Sequence, residues 1–376
     1  MDVYARLSVR KVINACGTYT ILGGSIVPPE VLEAMNEAAK AFVFMSELHD
    51  KAGKVVAEVT GAEAGYVTAG AAAGLVLATA ACITGKDSEK MRRLPFTEGM
   101  KNEAIIPRIH RHSYDQAFSQ AGAKLVEVGT SEGFSAADVE NAITDRTAAI
   151  AFTYFTSRRG CDLEALKEVV KVTKRYGVPV IVDAAAELPP LSNLRALITA
   201  EADLVAFSGG KAIQGPNDTG FLCGRRELIE ACALQGSPGH GIGRPMKVSK
   251  EQIIGLVVAL QRYVGKDHEG EKRKWETIVQ FFIEELSSLS HVTVKRLFPD
   301  SDKGEYSAQC WPRAQVVLDE LALGTTAAKV REALGAGDPA ICVESRENSI
   351  IINPHCLVEG EEKIVATKLK DLLTLN

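Results

Sequence analysis

The sequence predicts an α/β protein with a large domain on a mostly parallel sheet, followed by a smaller α+β domain. Three observations carry this. Through the middle of the chain, strand and helix signals alternate, the pattern of parallel strands joined by helical crossovers. Apolar runs in that region end on polar residues, as buried strands do where they open onto a crevice. From about Ser249 the pattern changes to long helical stretches and short strands.

Taken in order, the chain begins with an N-terminal arm, residues 1–48. The large domain is expected over 49–250 and the small one over 251–376. Gly65 to Thr68 reads as a short strand, and AGAAAGLVLATAACITG after it as a tight turn and a small-residue helix. Thr147 to Phe155 is a buried strand. Asp162 caps the helix LEALKEVVKVTKRY, whose Leu163, Leu166, Val169, Val170 and Tyr176 share helical spacing, and Gly177 stops it. Val178 to Val182 is a strand ending at Asp183, and Ala202 to Phe207 one ending at Ser208. Beyond Ser249, helices are expected at Gln252–Tyr263, Lys274–Leu289 and Thr326–Leu334. Strands are expected at 292–295, 314–318, 341–343 and 350–352.

The chain has 376 residues, 24% charged and 46% hydrophobic, with a formal net charge of −5. That is the composition of an ordinary globular protein, and it argues against a nucleic-acid scaffold. The N-terminus lacks the apolar core of a secretory leader, and the longest apolar stretch, Ala69 to Gly85, is short for a membrane span. The eight cysteines include no C-x-x-C pair, so zinc spacing is absent and no metal is expected. Buried free thiols in a reducing cytoplasm are the expectation.

The chemistry collects at strand ends. Lys211 sits in AFSGGKAIQGPNDTG, just past a buried strand, where flanking glycines let backbone approach a ligand. Desolvation there would lower the amine's pKa and make it a nucleophile able to form an imine with an aldehyde cofactor. The same position also suits a surface-loop lysine. Asp183 narrows the choice. Pyridoxal 5'-phosphate (PLP) needs a carboxylate at its pyridine nitrogen to act as an electron sink, and an Asp opening from a buried strand can supply it. Alone, Asp183 could equally be a turn residue. Gly70, Ala71, Ala72, Ala73 and Gly74 begin a helix whose free N–H groups suit a phosphate, with Ser208 adding a hydroxyl; tight helix packing is the alternative. No Walker A spacing occurs, and no G-x-G-x-x-G leads a helix. His110 and His112, in PRIHRHSYDQAF, offer a ring to stack on the pyridine face, or are loop histidines. The sequence does not decide between them.

On these stretches the chain resembles the fold-type I PLP enzymes, within them the group around bacterial selenocysteine synthase (L-seryl-tRNA selenium transferase), and more closely proteins of D-glucosaminate-6-phosphate ammonia-lyase type. VINACGTYTILGGS, TGAEAGYVTAGAAAG, AGAKLVEVGT, VPVIVDAAAELPP, AFSGGKAIQGPNDTGFLCGR and GRPMKVSKEQIIGL carry the resemblance from residue 12 to about 256, with a weaker echo in PAICVESRENSIIINP. It implies an aspartate aminotransferase-like fold. Lys211 would carry PLP as a Schiff base and Asp183 would partner the pyridinium. Gly70, Ala71, Ala72, Ala185, Ser208 and Gly215 would line the cofactor, with Pro216 shaping the turn. Arg244 and Lys247 resemble family basic positions that take a substrate carboxylate or phosphate. The chain departs from the family pattern at Glu344, where an arginine often stands; Arg346, two residues on, is the candidate replacement. The resemblance also implies a homodimer or larger symmetric assembly.

The expected reaction is α,β-elimination from a β-hydroxylated or phosphorylated amino acid or amino sugar acid, giving ammonia and a 2-oxo acid, with Lys211 as general base. Tyr19, Thr20 or one histidine would protonate the leaving group. A racemase or epimerase, with His110, His112 or Cys16 as second acid/base, starts from the same carbanion. So do aminotransfer and aldol cleavage. Selenium transfer would need a grip on tRNA, and no added tRNA-binding domain or net positive charge is evident. A non-catalytic binding protein on an enzyme fold is the reading of another class. A phosphorylated substrate needs a second anion site, for which Arg158, Arg159, Arg244 and Lys247 are candidates.

Overall fold

The computed structural model describes residues 2–155, 160–297 and 311–374. Strand β1 (Val12–Asn14) is followed by seven strands of one sheet: β2 (Ala64–Thr68), β3 (Glu103–Pro107), β4 (Lys124–Val128), β5 (Thr147–Thr153), β6 (Val180–Asp183), β7 (Leu204–Ser208) and β8 (Gly220–Gly224). Their order is β2-β8-β7-β6-β5-β3-β4. β4, β3, β5, β6 and β7 are joined by parallel pairings, and β8 runs antiparallel to both β7 and β2.

The central strands are nearly continuous apolar runs because both faces are covered. Every residue of β5 and β6 is buried. The helix Gly70–Thr84 is apolar on all sides and lies in the core of this unit, where a helix without a polar face belongs. Asp162 caps the helix Leu163–Tyr176 by accepting the Ala165 N–H at 2.9 Å, and Gly177, at φ 64°, ends it in the left-handed region. Asp183 and Ser208 are the last residues of their strands rather than the first residues after them. β4 and β8 are not among the expected strands.

Two compact units divide the chain at Ile26/Val27 and Gly265/Lys266, whereas the sequence predicts boundaries after Leu48 and Lys250. The helix Lys250–Gly265 belongs with the large unit through its fit to the helix Pro29–Ala39. A Cβ on Gly255 would meet Met35 Sδ at 2.8 Å, and Lys250 Nζ donates to the Ala38 carbonyl at 2.9 Å. The smaller unit holds β9 (Val292–Leu297), β10 (Arg313–Leu318), β11 (Ala340–Cys342), β12 (Glu344–Arg346) and β13 (Ser349–Ile352). Four form an antiparallel sheet in the order β12-β13-β10-β9. The N-terminal segment joins this unit because β1 pairs in parallel with β11, Ile13 opposite Ile341, and Asn353 N–H donates to the Ala15 carbonyl at 2.8 Å. Residues far apart in sequence thus close one core.

Of the seven described cysteines, all free thiols, Cys161, Cys223 and Cys232 are buried, while Cys16, Cys82, Cys342 and Cys356 are only half-buried. Among the described residues no helix is long and apolar enough to cross a membrane.

Candidate active site

Strand register brings the carboxyl ends together. Thr153 of β5 lies opposite Asp183 of β6, and Asp183 opposite Ala206 of β7. Next along, Ser208 faces Gly220, and Gly220 faces Thr68, two residues before the helix Gly70–Thr84. One edge of the sheet therefore carries Thr153, Asp183, Ser208 and that helix's N-terminus.

Asp183 is buried. Its Oδ1 accepts the Ala185 N–H at 3.0 Å, which aims the other oxygen, Oδ2, towards His112 Nε2, 3.8 Å away. Ala185 thus orients the carboxylate through its main chain. His112 Nδ1 accepts the Tyr114 N–H at 3.1 Å, which leaves Nε2 as the donor, 3.1 Å from Thr153 Oγ1. Asp115, buried and ion-paired with Arg111, accepts the His112 N–H at 3.3 Å. His110 points elsewhere. It is 1% exposed, its Nε2 is bonded to the Gly160 carbonyl at 2.8 Å, its Nδ1 accepts the Thr153 N–H at 3.2 Å, and Phe134 and Phe152 meet it edge-on. Of the two candidate histidines, only His112 stands at Asp183.

Lys211 follows β7 and is half-buried; burial lowers its amine pKa, against the opposing pull of the Asp183 and Glu187 carboxylates. The flanking glycines serve a different purpose from the one expected. A Cβ on Gly209 would lie 2.3 Å from Thr219 Oγ1, and one on Gly210 2.4 Å from Asn217 Cα. They let the loop fold on itself, closed by Gly209 N–H to the Thr219 carbonyl and Gly215 N–H to the Gly209 carbonyl, both 2.8 Å. Thr219 Oγ1 caps the turn on the Pro216 carbonyl at 2.6 Å.

The helix N-terminus fits an anion. Ala69 supplies no side-chain cap, so the N–H groups of Gly70, Ala71 and Ala72 are left for another acceptor. Gly220 makes room for them, since a Cβ there would lie 2.6 Å from Gly70 C and 2.7 Å from Ala71 N. A desolvated amine, an oriented buried carboxylate and an uncapped helix terminus on one sheet edge match the aldehyde, pyridine nitrogen and phosphate of PLP.

Arg244 and Lys247 are exposed, and no hydrogen bond or ion pair among the described residues links them to Lys211, Asp183 or Ser208. Tyr19, Thr20 and Arg346 belong to the other unit. There the Tyr19 hydroxyl donates to Glu344, and Arg346 Nη2 lies 3.3 Å from Glu344 Oε2. Tyr19 is held well above the usual phenol range by burial and by that carboxylate, and Cys16 is pushed up to about 12 by burial. Thr20 opens a short exposed turn. Arg158 and Arg159 lie outside the described residues. Sequence reasoning missed Thr153 and Asp115; the apolar run continues through Tyr154 and Phe155, so nothing in it singles out Thr153.

A model of the L-seryl-tRNA selenium transferase family matches residues 12–297. The chain is 34% identical to a D-glucosaminate-6-phosphate ammonia lyase of Salmonella typhimurium (strain 14028s / SGSC 2262) over 99% of this chain and 98% of that protein. It is also 34% identical to a 5'-C-glycyluridine monooxygenase-decarboxylase of a Streptomyces species, over 98% of this chain and 92% of that protein. Among solved structures, a D-glucosaminate-6-phosphate ammonia-lyase superposes with a TM-score of 0.87 at 32% identity, covering 100% of this chain and 98% of the other. The fold is that of the fold-type I PLP enzymes, and pyridoxal 5'-phosphate is the cofactor. The chain belongs to the L-seryl-tRNA selenium transferase family and is a PLP-dependent enzyme of it.

Proposed function

We propose that this enzyme is an ammonia-lyase converting a 2-amino-3-hydroxy sugar acid, of the D-glucosaminate 6-phosphate type, to a 2-oxo acid and ammonia. The single observation that carries this is the full-length likeness to such a lyase, by sequence and by structure, in a chain that has Lys211 and Asp183 at one sheet edge.

Bound PLP supplies an aldehyde that takes up the substrate amine and an electron-poor ring that eases loss of the Cα proton. In this reading the cofactor would be held by Lys211, by Asp183 for the ring nitrogen, by the N–H groups of Gly70, Ala71 and Ala72 with the Ser208 hydroxyl for the phosphate, and by His112 beside Asp183. Lys211 Nζ, lowered in pKa by burial, accepts the Cα proton. Asp183 would supply the carboxylate that keeps the ring nitrogen protonated. The C–O bond at Cβ breaks and water leaves. Water then replaces nitrogen at Cα, so the balance is one ammonia and one 2-oxo acid for each amino acid, with no net water consumed.

The glycyluridine relative supports a second reading, oxidative decarboxylation. Separate incubations with D-glucosaminate 6-phosphate and with a glycyl nucleoside under air, with ammonia, 2-oxo acid, dissolved oxygen and carbon dioxide all followed, separate the two. Ammonia and 2-oxo acid in equal amounts without oxygen uptake support the lyase. Oxygen uptake with carbon dioxide release from a glycyl nucleoside, and no ammonia from the sugar acid, overturn it. An absorption spectrum of wild type and Lys211→Ala tests the cofactor lysine separately.

The assembly in this reading is a homodimer or larger, working in a reducing cytoplasm. Support comes from the consecutive exposed side chains Phe42, Val43 and Phe44, at 103%, 51% and 81% exposure, an apolar run that a second copy can cover. Sedimentation of the holoenzyme tests it.

A further inference from the structure

The turn that carries Lys211 rests on one side of the helix Lys250–Gly265. Gly255, Leu256, Ala259 and Arg262 recur at helical spacing and share a face. A Cβ on Gly255 would lie 2.9 Å from Pro216 Cγ, one on Gly209 2.5 Å from Leu256 Cδ1, and one on Gly215 3.4 Å from Ala259 Cβ. The missing side chains let the loop 209–216 lie directly on the helix. The last contact along this face is polar. Arg262 Nη1 donates to Gln214 Oε1 at 3.0 Å, and Arg262 Nε donates to the Glu30 carboxylate, in the first turn of the helix Pro29–Ala39. The Gln214 N–H in turn donates to the Lys211 carbonyl at 3.0 Å, closing the turn that begins at the lysine.

Gln214 holds a backbone conformation that suits glycine. Its φ is 61°, in the left-handed region, where a side chain is strained. A glycine would make the same turn without that strain, so the glutamine side chain points to a use, and its bond to Arg262 is that use. Arginine fits the task because its planar fork fixes direction: with Nε committed to Glu30, Nη1 has one aim. Lys211 Nζ ends a long flexible stem, so where it reaches depends on how firmly the turn beneath it is held. We propose that Arg262 is a positioning residue for Lys211: bound to Gln214, it fixes the turn from which the lysine side chain extends and so delivers Nζ to one place. This rests on Lys211 being the cofactor lysine and is independent of the substrate.

Labelling of Lys211 by PLP tests this on the full-length chain, freed of cofactor and then reloaded. The PLP aldehyde condenses with the amine and releases water. Borohydride then delivers hydride to the imine carbon, leaving a secondary amine that mass spectrometry assigns to its residue. Gln214→Gly removes the side chain and suits the backbone, so it should melt at about the wild-type temperature. It should nevertheless label Lys211 at least about tenfold more slowly, since misplacing a reacting group by about 1 Å costs up to about 10²-fold in rate. Arg262→Met should slow labelling to the same extent; if it does not fold, the Gln214 variants carry the test. Gln214→Glu keeps an acceptor oxygen for Arg262 and should label within about twofold of wild type. Wild-type labelling in Gln214→Gly, slowing that Gln214→Glu shares, or a lowered melting temperature in Gln214→Gly alongside its slowing, each overturns the proposal. No labelling of Lys211 in the wild type would instead remove the cofactor reading, and this proposal with it.

Discussion

His112 Nε2 lies 3.8 Å from Asp183 Oδ2 and 3.1 Å from Thr153 Oγ1. These three residues come from the segment after β3 and from the ends of β6 and β5, so the pairing depends on three elements being in register. With Nδ1 occupied by the Tyr114 N–H, the histidine faces Asp183 with its proton-bearing nitrogen. A carboxylate held in this way by the Ala185 N–H has little freedom to rotate, which suits a group that must face a pyridine nitrogen.

Asp183→Asn removes that charge while keeping the shape. The variant should still bind PLP, and its kcat for ammonia release should fall about 10²–10³-fold, the scale seen when one oriented electrostatic partner is lost. The check is steady-state ammonia release beside a PLP titration. A fall in activity matched by an equal loss of cofactor would assign Asp183 to binding alone.

Thr153 and the two histidines separate site from scaffold. Thr153 Oγ1 donates to the His110 carbonyl at 3.2 Å and accepts from His112. Thr153→Val should cost stability of about 1–3 kcal/mol, because a buried carbonyl loses its donor, and should weaken PLP binding by releasing His112. His112→Asn should weaken PLP binding with little change in the melting temperature. His110→Phe should do the reverse, lowering the melting temperature by stranding the Gly160 carbonyl. Thermal melts and PLP titrations on the three variants read both effects.

The lowered pKa of Lys211 has a direction that can be checked without substrate. Folded PLP-free protein holds this amine at a pKa below the ordinary 10.5. Between the two values the unfolded chain binds more protons than the folded one, so this group makes stability rise with pH across that window. Lys211→Met should therefore melt higher than PLP-free wild type at neutral pH, and the difference should shrink as pH approaches 10.5. In parallel, amine acylation at Lys211 should set in at lower pH than at exposed lysines, read by mass spectrometry. A constant difference in melting temperature would show that lost packing, not charge, is being measured.

Lys211, Asp183 and Ser208 were legible in the sequence because apolar runs announce buried strands and the next polar residue marks where each opens. His112 was not separable from His110. The two sit on an irregular segment between β3 and the helix Gln116–Gln120, where no period says which side chain turns inward. The role of Gly209 and Gly210 was misread for a related reason. A glycine next to a lysine signals close approach, but only coordinates say that the approaching group is Thr219 or Asn217 rather than a ligand. The pairing of β1 with β11 joins residues more than three hundred positions apart, and nothing local encodes it. Tyr19 and Arg346 illustrate the same limit, since each is engaged with Glu344, the residue that breaks the expected pattern.

Gly220 gives the most selective test of the phosphate cradle. Its backbone passes so close to the helix start that a Cβ would fall 2.6 Å from Gly70 C and 2.7 Å from Ala71 N. Both are main-chain atoms, so no side chain can swing aside, and Gly220→Ala must push the N-terminus of the helix Gly70–Thr84 away from the sheet. Overpacking of this kind costs about 1–3 kcal/mol, and the larger consequence is directional. The N–H groups of Ala71 and Ala72 lose their aim, while Asp183, on β6, is two strands away from β8. The variant should bind PLP at least about tenfold more weakly, as expected when charge-assisted hydrogen bonds to a phosphate are lost. Its affinity for pyridoxal, which lacks the phosphate, should change little. Parallel titrations of the two compounds measure this directly. Equal weakening for both would mean that the substitution disturbs the sheet edge as a whole, and that the phosphate is held elsewhere.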